Sequence, residues 1–211
     1  MHTADVLNRW NELNARRLTE ASQIWNLQFE ELLAHLPIAF EGPGLVRNLT
    51  AMLGEWMRDP VNSQSKPSTV LIVRAIQAFI AQAGGLGKFK HSGGRDPIGQ
   101  AVASGRMQLA KGLLDAGLGF FDESKSSKYL KAGLSRIDDD DSAEVSALLF
   151  IVDSVDGFHS DALMLQALRE DGRVNVANEL TATLLRKAAE KSLMASQDKE
   201  IVEFVHVSRA L

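Results

Sequence analysis

The 211-residue chain has no cysteine, which rules out disulfides, thiolate zinc sites and a cysteine nucleophile together and suits a reducing compartment. Long apolar runs are also missing. The fullest of them, "ALLFIV" at 147–152, falls far short of the roughly 20 residues a membrane span requires. The N-terminal "MHTADVLNRWNELNARR" is polar and carries no continuous apolar stretch, so the chain is expected to be soluble and cytoplasmic, or secreted by a non-classical route if it acts as an effector. Aromatics make up 6% of the chain and no segment alternates with strand period, which predicts an all-α fold. A net charge of −4 gives no general attraction to nucleic acid or anionic lipid, so neither is expected as a partner. An acidic whole favours a basic protein partner instead.

Chemical motifs are equally scarce. The histidines at 2, 35, 91, 159 and 206 include no pair at helical ligand spacing, and H-E-x-x-H does not occur, so no metal site is expected. His159 beside Asp156 and Asp161 reads as a solvated turn. The run Asp138, Asp139, Asp140, Asp141 lacks the glycine and the distal glutamate of a calcium loop. It reads as a charged loop ending in an N-cap at Asp141 or Ser142, with exposed carboxylates that could meet a basic partner. In "AGGLGKFKHSGGR", Gly87-Lys88 is followed by Phe89 and preceded by a helix, which is not the context of a phosphate loop. No cofactor is expected.

What the chain does contain is helical periodicity. Apolar residues from Val6 to Leu36 recur at helical spacing and predict one or two helices over 4–36, stopped by Pro37. "EGPG" turns into a second helical run from Leu45 to Trp56, which ends at Asp59-Pro60. Trp10, Trp25 and Trp56 fall on the apolar faces and read as core. After a polar loop, "STVLIVRAIQAFIAQAGG" returns to helical spacing and ends on glycines. Ala83-Gly84 and Ala116-Gly117 then close two similar helices 33 residues apart.

The segment "GRDPIGQAVASGRMQLAKGLLDAGLG", residues 94–119, resembles one ankyrin repeat. Asp96 stands where the family has its capping threonine and Pro97 is the first helical residue. Ile98, Ala101 and Val102 supply an inner helix, Gly105 the turn, Leu109, Leu113 and Leu114 the outer helix, and Gly117 its end. Asp before Pro is a good cap in its own right, because the carboxylate takes orphan N–H groups and proline offers none. Gly99 departs from the family, which has histidine there. Weaker likenesses lie at 146–172, with Gly157 near the turn, and at 174–189 and 199–205, where a second helix follows an insertion. A helix pair cannot bury both its faces alone, so one repeat predicts neighbours.

The expected architecture is therefore an all-α solenoid: a helical N-terminal cap at 1–60 and an ankyrin-like array over 67–211, divided as 67–93, 94–126, 143–175 and 176–211. The resemblance implies a non-catalytic scaffold that binds another protein through finger loops and inner helices. The expected surface comprises the first finger, with Lys88, Phe89, Lys90, His91 and Arg95 at its tip. It extends to the connector 118–142, with Phe121, Lys125, Lys128, Tyr129 and Asp138 to Asp141. An inhibitor or immunity protein, or a bacterial effector blocking a target protein, fits the same features. An enzyme using the glycine-rich loop 84–95 for a small molecule is the contrasting reading.

Overall fold

The computed structural model describes residues 2–42, 44–57, 66–154 and 162–208. Among them every regular element is helical, and no strand occurs. Asp59-Pro60, Gly157 and the His159 cluster with Asp156 and Asp161 lie outside the described residues. The chain divides into two compact units, 1–137 and 138–211.

The first unit opens with α1 (Thr3–Ala15) and α2 (Ser22–Leu33), then the single turn α3 (Leu36–Ala39) and α4 (Gly44–Trp56). Pro37 does not stop the second helix. That helix has already ended at Leu33, and Pro37 sits in the first turn of α3, where its missing N–H leaves no bond unmade. Phe29 is the centre of the core here, with ring centroids 5.8 Å from Trp10, 5.3 Å from Trp25 and 5.7 Å from Trp56. All three tryptophans are buried. The indole N–H of Trp25 donates to the Leu13 carbonyl at 2.8 Å, so the ring's polar atom is satisfied inside the apolar cluster.

Helix α5 (Thr69–Gln82) buries Leu71, Ile72, Ala75, Ile76, Phe79 and Ile80, a stripe at i, i+3 and i+4 spacing. Against it pack α2, α3 and α4 from one side of the sequence and α8 (Met107–Asp115) from the other. Helices α2, α3 and α4, from the segment expected to cap the array, thus pack directly on α5.

Between α5 and α8 lie α6 (Leu86–His91) and α7 (Pro97–Ala103). Helix α7 and α8 form the pair expected at 94–119. The side chain of Asp96 accepts from the Gly99 N–H, and Ile98, Ala101, Val102, Leu109 and Leu113 are buried. Leu114 is only half-buried. At Gly105, φ is +75°, and the following N–H groups close on the last turn: Gly105 onto the Val102 carbonyl at 3.0 Å and Arg106 onto Ala101 at 2.9 Å. A side chain is strained in that conformation, so glycine at the turn has a backbone reason.

The connector 118–142 is not a bare loop. It contains a 3-10 turn at Glu123–Lys125 and α9 (Ser126–Leu134). Helix α9 packs on α7 through glycines. A methyl group at Gly99 would collide with the Tyr129 ring, one at Gly133 with the Val102 carbonyl, and one at Gly105 would stand 2.8 Å from the Arg136 Cβ. Residues 99, 102 and 105 thus meet 129, 133 and 136 in the same order. Helices α7 and α9 run parallel, in steps of 30 to 31 residues.

The second unit has α10 (Ser142–Ser154), α11 (Ala162–Glu170) and α12 (Val174–Ser208). Where two helices were expected over 176–211, α12 is one continuous helix of 35 residues, on the order of 50 Å long. Neither Thr183 nor the stretch before Lys199 breaks it, because nothing there is glycine or proline. Its first turns bury Val176, Ala177 and Leu180. Further along, Leu185, Leu193 and Met194 are exposed.

Candidate functional site

The expected surface residues of the first unit gather around the N-terminus of α7. Glycines at 84 and 85 end α5, and α6 comes directly after them, so the predicted finger is a short helix with a tight exit at Ser92 to Gly94. Lys88, Lys90 and His91 project from it to solvent, and Arg95 is exposed in the exit turn. Phe89 does not project. Its side chain is 0% exposed, and a methyl group at Gly94 would strike its ring and its carbonyl, so this aromatic belongs to the core and not to a docking tip. The helical turn decides this, since Phe89 points inward one position away from two lysines that point out.

Asp96 is the hub of the cluster. It is 6% exposed, and its carboxylate receives the Gly99 N–H at 3.0 Å on one oxygen and the Phe121 N–H at 3.0 Å on the other. Burial raises its pKa above the ordinary aspartate value, against the opposing pull of those N–H groups and of Lys90. The second bond ties the segment 120–122 down over the start of α7. Phe121 is accordingly half-buried, edge-on to Phe89 with centroids 6.2 Å apart. The Lys90 ammonium donates to the Phe121 carbonyl and lies 5.9 Å from its ring centroid. Tyr129 is half-buried as well, stacked on Phe120 with centroids 6.4 Å apart and seated on Gly99. Burial and the nearby Asp96 charge raise its pKa.

Beyond this strap the surface is basic. Lys125 pairs with Asp122 at 2.9 Å. The Ser124 hydroxyl, and after it Lys125, hold the Asp122 carboxyl down at about 2. Lys128 is exposed on the next turn. Lys131, at the end of the expected stretch from Lys125 to Lys131, is exposed one turn further along α9.

The acidic run lies in the second unit and is largely occupied with its own backbone. Asp139 accepts the Val176 N–H at 2.9 Å and the Asn175 N–H at 3.2 Å, capping α12. Asp141 accepts from Ala143 and Glu144, both at 3.1 Å, capping α10 as its sequence position suggests. Asp138 accepts the Asp140 N–H at 3.2 Å in a local turn. Of the four carboxylates, that of Asp140 makes no such bond and faces solvent. A groove of about 470 Å³ beside it is lined by Asp139, Asp140, Ser142, Leu149, Asn175 and Glu179.

Among the described residues no group of three or more His, Asp and Glu side chains could hold a metal ion, and no helix is long and apolar enough to cross a membrane. Among the described residues the protein is all helical and divides into two units, the first presenting exposed lysines and Arg95 around the buried Asp96. The chain matches no family model, no curated protein and no solved structure.

Proposed function

We propose that the protein is a non-catalytic helical-repeat scaffold that binds another protein through the face made by α6, the turn at 92–95 and α9. The observation that carries this reading is how the candidate polar groups are spent. The buried acid, Asp96, has both oxygens taken by backbone N–H groups, and the His91 ring nitrogen Nδ1 lies 2.6 Å from the Gly87 carbonyl. The residues left to face solvent, Lys88, Arg95, Lys128 and Lys131, are long cations beside an aromatic-backed strap, which suits recognition of a surface. The pair α7 and α8, packed together across the Gly105 turn, with α9 laid parallel to α7, supports the repeat reading, since such helices bury their faces by stacking on like neighbours.

The test is affinity capture with the tagged protein and its Lys88→Ala/Lys90→Ala/His91→Ala variant, both checked for an unchanged melting curve. A stoichiometric protein partner retained by the parent and lost by the variant is the expected result. Equal retention by both moves the interface off this face. A copurifying small molecule with no protein partner favours the ligand-binding reading of 84–95.

A further inference from the structure

Charge is unevenly placed along this chain. Residues 84–137 hold nine Lys and Arg against four Asp and Glu, whereas the remaining residues hold fourteen against twenty-three. Three of those four acids are already engaged: Asp96 by the N–H groups of Gly99 and Phe121, Asp115 by Lys111 at 2.5 Å, and Asp122 by Lys125 at 2.9 Å. Arg95, Lys128 and Lys131 are exposed, and none makes an ion pair with a described residue. Arg95 directly precedes the Asp96 hub. Lys128 and Lys131 stand on either side of Tyr129 and Leu130 on α9, about 4.5 Å apart along its axis.

Building on the scaffold reading, we propose that this face docks a short acidic segment of the partner protein, whose Asp and Glu carboxylates pair with Arg95, Lys128 and Lys131. An overall negative chain would lead one to expect a basic partner, but with a Debye length of about 8–10 Å a docked segment responds mainly to the charges nearest to it. The supply of cations selects the kind of anion. A short acidic segment needs only a few cations, whereas an extended nucleic acid or a sheet of anionic lipid draws on many, which a chain of net charge −4 supplies poorly. The Arg95 guanidinium offers a fork of donors to one carboxylate, and the two lysines match acidic side chains one helical turn apart.

The experiment is a fluorescence-anisotropy titration of the full chain with a labelled peptide of about eight glutamates, compared with a single-stranded oligonucleotide of equal charge and with phosphatidylserine vesicles. The expected result is saturable peptide binding that weakens about tenfold or more between about 50 and about 200 mM salt. Binding is abolished in Arg95→Glu/Lys128→Glu/Lys131→Glu and unchanged in Arg47→Glu, an exposed reversal on α4. No peptide binding at low salt overturns the inference, as does equal loss in the Arg47→Glu control. Tighter binding of the oligonucleotide or the vesicles overturns it in favour of that class of partner. If the peptide fails while the Lys88/Lys90/His91 variant still loses its captured protein, the acidic-segment inference falls and the scaffold reading stands. If the peptide binds while that variant keeps its captured protein, the scaffold's interface is what falls.

Discussion

The carboxylate of Asp96 and the backbone N–H of Phe121, 25 residues apart in sequence, meet at 3.0 Å. This one bond turns an ordinary helix cap into a clasp, because the same side chain holds the first turn of α7 and the strap that leads into α9.

Breaking the clasp is expected to have graded effects. Asp96→Ala removes both acceptors and should cost about 1–3 kcal/mol in urea denaturation, with faster amide exchange at Phe121. Asp96→Asn keeps one acceptor for the Gly99 N–H and sheds the buried charge, so it should cost less. The pH dependence comes from the raised carboxyl pKa. The folded state holds its proton more tightly than the unfolded chain, whose value is 3.8, so this contribution to stability is complete below 3.8 and is lost as pH rises through the folded value. Asp96→Asn should flatten the stability profile in that window. A profile identical to that of the parent would show that burial of this charge has no energetic weight.

The contact between α7 and α9 rests on absent side chains. At Gly133 a methyl group would meet the Val102 backbone carbonyl, which cannot move without shifting α7. At Gly99 it would meet the Tyr129 ring, which can swing off its stack on Phe120. Gly133→Ala should therefore be the more damaging, by about 1–3 kcal/mol or more. Gly99→Ala should mainly alter the near-ultraviolet circular dichroism of Tyr129. Equal and small losses in both would argue against close packing of these helices. Gly119→Ala, where the space is open, is the control.

In the second unit, Asp139 caps a helix it does not belong to. Asp139→Ala leaves the N–H groups of Asn175 and Val176 without their acceptor and should destabilise the start of α12 by about 0.5–2 kcal/mol. Amide exchange at those two residues should rise, while Asp140→Ala, whose side chain caps nothing, should leave them unchanged. The reverse order would remove the capping role.

Several parts of this architecture are legible in the residues themselves. The helices, the Asp96-Pro97 start and the glycine at the 105 turn are local, set by i, i+3 and i+4 spacing, by orphan N–H groups and by a backbone angle that only glycine adopts cheaply. Gly99, which departs from the ankyrin pattern, is explained only once Tyr129 is seen resting on it. Phe89 looks like part of an exposed basic tip because its neighbours are lysines, and the turn of a six-residue helix puts it inside. Helix α9 hides in a connector whose alternating Lys and small residues give a weak periodic signal until Leu130 and Leu134 find α7. The acidic run announces charge, but not that Asp139 reaches a helix start 36 residues on.

Sequence alone determined what depends on neighbours within a turn or two of chain: the helical periodicity, the caps at Asp96 and Asp141, the glycine turn at 105 and the positive balance of residues 84–137. Tertiary structure decided which charges remain to meet a partner. A carboxylate or ammonium group is spent or left exposed according to which backbone N–H groups and opposite charges the packing brings within about 3 Å, and those partners come from distant parts of the chain.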